Sequence, residues 1–335
     1  MLRRHAISRC SNNAVANRSY LRATGLAITL LMVPLLAFAL RWDKAIAGII
    51  WGLEPPSSVI RLLPKPASHV KLGIYNGSGG CSDCDAFGVE MFFADWAGYD
   101  HEHLKAEMSR AVAANRWPMI TVEPWPHQRT VAQSDSLFSD IVTGKYDHEI
   151  ASLCEDLNAI NSPLFIRWGH EMENVNGRYP WSQSDVVGYV KAYRYFVDHC
   201  RALLSHQCFF VWSPVGRKEL FRYWPGPDYV DQIGVSVYGF PEYDIRNFGK
   251  VRSFADIFSE TYQRVSLFDK PIIIAELGVT GDDRHQRYWM YRAFRSFDQY
   301  PRLQVAVYYN SKDSPLAWGK DYPVPDWTIL RSVFK

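Results

Sequence analysis

Several signatures are missing from this chain, and each absence narrows what it does. No Gly-rich phosphate loop follows a strand-like run, and no His, Cys, Asp or Glu set has metal-ligand spacing, so neither a nucleotide cofactor nor a metal is expected. There is no internal repeat and no low-complexity tract. No Gly/Ser- or Pro-rich linker interrupts the chain beyond its N-terminal third. Cysteine is sparse, with six residues. Acidic residues are absent from residues 1–22, which hold Arg3, Arg4, Arg9, Arg18 and Arg22. Those five charges exceed the formal net charge of +2, so the rest of the chain is about −3, which argues against a nucleic-acid partner.

What is present falls into four stretches. Residues 1–22 are basic, and residues 23–40 are an uncharged apolar run. At 1.5 Å per residue that run spans about 27 Å, adequate for a bilayer core. With the basic flank on the cytoplasmic side, it reads either as an uncleaved transmembrane signal anchor or as a signal peptide cut near Ala37-Phe38-Ala39. Both readings place the remainder outside the cytoplasm, on the periplasmic side of the inner membrane or secreted. Residues 41–69, with Pro55-Pro56 and Pro64-Lys65-Pro66, read as an extended linker. Residues 70–335 form one domain of about 270 residues, and the overall apolar content of 47% excludes a disordered chain.

The cysteines suit an oxidising compartment. Cys81-Ser-Asp-Cys84 reads as a loop disulfide, and Cys200 with Cys208 brackets a helix-to-strand turn and reads as a second one. Cys154 is then a buried thiol and Cys10 a cytoplasmic one.

Within the large domain, strand-like and helix-like runs alternate. Strands are expected at 70–75, 89–94, 119–122, 164–167, 209–212, 233–238, 271–275 and 303–308. Helices are expected near 101–115, 147–160, 184–204, 254–268, 284–298 and 326–334. The crossover after the first strand carries Gly77, Gly79 and Gly80 and is too short for a full helix. Eight strands alternating with helices imply a parallel sheet, and eight such units imply an α/β, (β/α)8 TIM barrel.

Two glutamates stand out in this frame. Glu171 follows Pro163-Leu-Phe-Ile-Arg167-Trp-Gly-His170, and Glu276 follows Lys270-Pro-Ile-Ile-Ile-Ala275. An unpaired carboxylate closing a strand buried on both faces costs several kcal/mol. Two of them converging on the mouth of a barrel are the working parts of a glycosidase. Retention of configuration requires one carboxylic acid to protonate the leaving oxygen and one carboxylate to attack, about 5–5.5 Å apart. His170 is placed to hold Glu171. Trp125 and Trp212 lie near strand ends, where sugar stacking competes with ordinary packing. Glu123 also ends a strand and reads as structural or substrate-binding.

The string Arg167-Trp-Gly-His170-Glu171-Met172 resembles the acid/base motif of glycoside hydrolase family 26, which holds β-mannanases, mixed-linkage β-glucanases and β-1,3-xylanases. The resemblance continues through Tyr179-Pro180-Trp181, Val211-Trp-Ser-Pro214, Tyr223-Trp-Pro-Gly226, Tyr229-Val-Asp231 and Lys270–Glu276, and covers most of residues 70–330. It implies Glu171 as general acid/base, Glu276 as nucleophile, Arg167 and His170 as residues holding the site, Tyr238 as hydrogen-bond donor to the nucleophile, and Trp181 as a subsite aromatic. One departure stands beside the acid. Glu173-Asn-Val-Asn176-Gly177 replaces the family's Asn-Gly, with two extra residues that reshape the adjacent subsite.

The reading that follows is a retaining endo-β-glycosidase acting on mannan, mixed-linkage β-glucan or an exopolysaccharide, with no cofactor. The alternatives are a non-hydrolytic carbohydrate-binding or assembly protein, or a transglycosylase, in exopolysaccharide production.

Overall fold

The computed structural model describes residues 67, 69–79, 84–174, 177–315 and 317–329. The basic segment, residues 23–40, most of the linker, Cys10 and Cys81 lie outside them. Among the described residues no helix is long and apolar enough to cross a membrane.

Eight parallel strands close a barrel in chain order: β1 (Lys71–Tyr75), β2 (Val89–Asp95), β3 (Trp117–Glu123), β4 (Leu164–Trp168), β5 (Cys208–Trp212), β6 (Gln232–Gly239), β7 (Ile272–Val279) and β8 (Leu303–Tyr309). Among the described residues, seven helices accompany them: α1 (His101–Ala113), α2 (Val131–Val142), α3 (Asp147–Asn158), α4 (Val186–Leu203), α5 (Pro241–Phe248), α6 (Phe254–Val265) and α7 (Asp283–Ser296). This is a (β/α)8 barrel. β4 and β7 are buried at every position, as befits strands with the barrel interior on one face and helices on the other.

Two of the helices were not expected from apolar spacing. The Thr130 side chain caps α2 by accepting from the Gln133 amide, while α5 opens on Pro241 and ends at Gly249 with φ 71°. α2 packs Leu137, Phe138 and Ile141 into the core between strands and helices, and α5 follows β6 directly. The expected closing helix differs too. Residues 326–329 are extended, and Asp326 pairs with Lys312 in an isolated antiparallel bridge, so no helix begins there; residues 330–335 lie outside the described set. Among the described residues of the β1–β2 crossover there is no helix, as its glycines suggested.

The cysteine pairing departs from expectation. Cys84 is disulfide-bonded. Cys200 and Cys208 are free thiols. The reason is helical phase. Cys200 sits on the buried face of α4, where its Sγ lies 3.0 Å from that of Cys154 on α3, whereas Cys208 opens β5. Cys154 is the buried thiol it was expected to be.

The core has two layers. Ile74, Ala94, Ile120, Ile166, Ile274 and Leu277 belong to the layer between the strands and the helices. Val89, Met91, Met119, Phe165, Val211, Ile273, Ala275, Val305 and Val307 fill the barrel itself. Each such apolar side chain contributes about 1.5–3 kcal/mol over its exposed state. The barrel is therefore plugged below, and chemistry is confined to its mouth.

Candidate active site

Alternation along β4 turns Phe165 and then Arg167 into the barrel, and Arg167 is fully buried. A buried guanidinium needs partners, and it has them. Its Nε donates to Ser213 Oγ at 2.9 Å, and its Nη1 donates to Thr121 Oγ1 at 3.4 Å and to Glu276 Oε1 at 2.6 Å. The other carboxylate oxygen of Glu276 accepts from the Tyr238 hydroxyl at 2.5 Å. Both oxygens of Glu276 are thus held by donors from β4 and β6.

Glu276 reaches this position through an irregularity. The apolar run suggested that it follows its strand, but β7 continues through Val279 and Glu276 lies inside it. Ile273 and Ala275 already face the barrel interior, so strict alternation sends residue 276 outward to the helices. Instead, Val235 pairs with Ile274 and Ser236 pairs with Glu276, so β7 carries one extra residue at this point. This β-bulge turns Glu276 inward. Beyond it, Gly278 leaves room for Tyr238: a Cβ there would lie 2.8 Å from the tyrosine ring.

Glu171 stands three residues past the end of β4, after Gly169 at φ 54° and His170, and itself adopts φ 57°. A left-handed backbone at a residue with a side chain is unfavourable and persists only when its surroundings enforce it. Here the Glu171 amide donates to Ser213 O at 2.7 Å, and Ser182 Oγ reaches Asn174 O at 2.6 Å. Glu173, only 4% exposed, accepts from the Gly216 and Arg217 amides at 2.7 and 3.2 Å, tying the loop after β4 to the loop after β5. The Glu171 carboxylate meets one neutral donor, Ser236 Oγ at 3.1 Å.

The two carboxylates therefore have contrasting surroundings. Burial, followed by the negative charge of Glu276, pushes the Glu171 carboxyl up to about 7, against the opposing pull of Arg178 and Arg167. Glu276 is gripped instead by a cation and a phenol. One carboxyl is desolvated with a single neutral donor from Ser236, and the other is tied through both oxygens. His170 is held neutral: burial, then Arg167 and Arg178, take its pKa well below the usual imidazole value. Its Nε2 lies 3.3 Å from the Tyr179 hydroxyl.

A family model for glycosyl hydrolase family 26 matches residues 117–293, which include both glutamates and every donor to them. The chain belongs to this family. Endoglucanase H of Acetivibrio thermocellus is 29% identical over 228 residues, covering 64% of this chain and 23% of that protein. A β-1,3-xylanase from a Vibrio species is 25% identical over 105 residues, covering 30% and 22%. The chain spans about a quarter of the length of the curated relatives it matches. A β-mannanase of the family from Bacteroides ovatus has the same fold, with a TM-score of 0.55 at 16% identity over 84% of this chain and 91% of that one.

Within this family 26 barrel, Arg167 and Tyr238 meet at Glu276, Glu171 lies close enough to feel its charge, and His170, expected to hold Glu171, has Tyr179 as the described partner of its ring. The aromatic candidates do not all join them. Trp181 is fully buried; it donates to His170 O at 2.7 Å and stacks on Tyr179 at 4.5 Å, so it braces the loop that carries Glu171 and has no face open to a sugar. Trp212 is fully buried as well, on the outer side of β5 against Trp224 and Phe268. Trp125 is half-buried beside the mouth, with Arg129 over its ring at 4.1 Å and its indole N–H bonded to Glu123. Burial is the first cause raising the pKa of that Glu123 carboxyl.

Sequence reasoning passed over Ser236, Arg178, Tyr75 and Tyr309. Ser236 shares the inward face of β6 with Tyr238, two residues on, so strand periodicity pointed to it. Tyr75 and Tyr309 close β1 and β8 in register, with rings 4.7 Å apart. Arg178 follows the two extra residues and pairs with Asp313 at 3.7 Å; no motif marked it.

Proposed function

We propose that the protein is a retaining endo-β-glycanase that hydrolyses a β-linked polysaccharide by double displacement. Glu276 attacks the anomeric carbon while protonated Glu171 gives its proton to the departing sugar oxygen. Glu171, now a carboxylate, then takes a proton from water, which attacks the glycosyl-enzyme and frees Glu276. Arg167 and Tyr238 aim the nucleophile, and the neutral serine contact of Glu171 lets it exchange its proton.

The observation that carries this reading is the pair of adjacent carboxylates in opposite environments, one bound by Arg167 and Tyr238 and the other desolvated with a pKa of about 7. The names of its relatives, an endoglucanase and a β-1,3-xylanase, support a β-linked glycan as substrate class. The test is reducing-end release by the full chain from mannan, lichenan and β-1,3-xylan. Glu276→Gln is expected to lower turnover at least about 10,000-fold, as removal of a nucleophile does. Wild-type-like rates from that variant would remove the assignment.

The basic residues 1–22 and apolar residues 23–40 support a further part of the reading, that the barrel works outside the cytoplasm, tethered or released. Protease added to intact spheroplasts is expected to digest the barrel domain; complete protection would place it inside.

A further inference from the structure

Beyond the mouth, on the side of the nucleophile, the loop after β8 and helix α5 raise a row of aromatic rings that the proposed chemistry leaves unused. The row adjoins Tyr238, the donor to Glu276. Trp318 meets Tyr238 edge-on, with ring centroids 5.9 Å apart, and Tyr243 meets Trp318 in the same way at 5.1 Å. Tyr322 continues the row 5.4 Å from Tyr243. All three outer rings are half-buried rather than sealed in the core, and Phe248, 6.2 Å from Tyr243, is 50% exposed.

The rings are fixed in place by polar groups. The Trp318 indole N–H donates to Asp313 Oδ2 at 3.0 Å, and Asn247 Nδ2 donates to the Tyr322 hydroxyl at 2.7 Å. Arg246 lies over the Tyr322 ring at 5.1 Å and forms an ion pair with Asp321 at 3.8 Å. An exposed apolar surface with a polar rim marks a binding site, and this one is continuous, ring by ring, with the residue that orients Glu276.

We propose that Tyr243, Trp318 and Tyr322 form an extended binding wall for a β-linked glycan chain, gripping sugar units beyond those at the point of cleavage. The inference rests on the glycanase reading and deepens it: the substrate is a polymer that runs outward over the end of β7 and across α5. Rigid aromatic faces suit the C–H faces of successive sugar rings, while Asn247 and Arg246 at the rim meet hydroxyl groups. The wall has no part in bond breaking, so it acts on long substrates and not on short ones.

The experiment compares the full chain with the Tyr243→Ala/Tyr322→Ala double variant on polymeric mannan, lichenan and β-1,3-xylan, and on an aryl β-disaccharide. The ratio of polymer to disaccharide kcat/KM is expected to fall about tenfold in the alanine variant, through KM. The Tyr243→Phe/Tyr322→Phe variant, which keeps both rings, is expected to retain the wild-type ratio. The Tyr243→Leu/Tyr322→Leu variant, which keeps apolar bulk without a ring face, is expected to lose it and carries the test if the alanine variant melts early, an unchanged ratio there overturning the wall. An unchanged ratio in the alanine variant overturns the wall, as does an equal loss on both substrates at unchanged melting temperature. If the wild type releases no reducing ends, the glycanase reading fails by itself. Retardation of Glu276→Gln in polymer-loaded native gels then decides the wall: slowing that the tyrosine replacements abolish supports it, and equal mobility with and without polymer overturns it.

Discussion

Along β4, Phe165 points into the barrel near its foot, and Arg167, two residues on, points in at its mouth. Phe165 packs against Phe209 at 5.4 Å and Trp117 at 6.0 Å, in a layer held by contact alone. Arg167 bonds to Thr121, Ser213 and Glu276. The backbone positions are equivalent, and one pleat step separates them. At the foot, the packed side chains are apolar and their content is volume, with Gln232 at the edge of the cavity that Phe165 and Phe209 line. At the mouth, a buried cation is tolerable only because Glu276 answers it. An ion pair of this kind adds little net stability against an apolar substitute, but removing one partner costs about 3–5 kcal/mol. The foot keeps the barrel closed, and the mouth keeps two carboxylates different.

Breaking that difference between the carboxylates has the largest expected effect. Glu171→Gln removes the acid and should lower kcat/KM on polysaccharide by about 100- to 10,000-fold. The wild type should lose activity as pH rises through about 7, where Glu171 surrenders its proton, and that limb should vanish from the residual activity of the variant. Stability should move the other way. The folded protein holds this proton up to about pH 7, whereas the unfolded chain releases it near the ordinary value of 4.5. Stability attributable to this group therefore falls as pH rises across that window. Glu171→Gln should melt above the wild type at pH 8, and the two melting temperatures should converge toward pH 4. A variant that melts lower at pH 8 would show that Glu171 is not a strained acid.

The foot should respond in the opposite sense. Phe165→Ala deletes an aromatic ring from the plug and should cost about 3–5 kcal/mol, read as a lower denaturant midpoint. Below its own melting transition, the variant should turn over substrate within about twofold of the wild type. A large loss of kcat in a folded Phe165→Ala protein would mean that the two ends are not independent.

How much of this could be read in the chain follows the same division. The barrel was legible because eight apolar runs alternate with helical spacing, and each run is short, buried and bounded by turn residues. Glu171 and Glu276 were legible as candidates because a glutamate after a run such as Pro-Ile-Ile-Ile-Ala has no packing reason to be there. The bulge that aims Glu276 was not legible. A fully apolar strand has no alternation to show a slipped register, so Ala275 and Glu276 look like ordinary neighbours. Trp181 and Trp212 misled for a related reason. A tryptophan near a strand end has the same composition whether its ring faces a cleft or the helix layer, and only the surrounding packing decides. Cys200 and Cys208 do not pair because closeness along the chain is not closeness in space: helix α4 turns Cys200 toward Cys154.

The finest test of the mouth lies at Gly278, where a single methyl group probes the aim of the nucleophile. A Cβ at this position would stand 2.8 and 2.9 Å from Tyr238 Cδ1 and Cε1, and 3.1 Å from Trp327 Cε3. Trp327 is fully buried, so it has little room to retreat, and the tyrosine must shift. Its hydroxyl then leaves Glu276 Oε2 and the carboxylate loses one of its two tethers. Gly278→Ala should lower kcat about tenfold, since small misplacements of a reacting group are costly, while the melting temperature changes little beyond the usual overpacking cost of about 1–3 kcal/mol. Tyr238→Phe removes the same hydrogen bond directly and should give a comparable loss. If the methyl group acts only by displacing the hydroxyl, the double variant should be no slower than Tyr238→Phe alone. Additive losses would mean that Gly278 shapes the site by another route, with the ring or the β7 backbone carrying the effect.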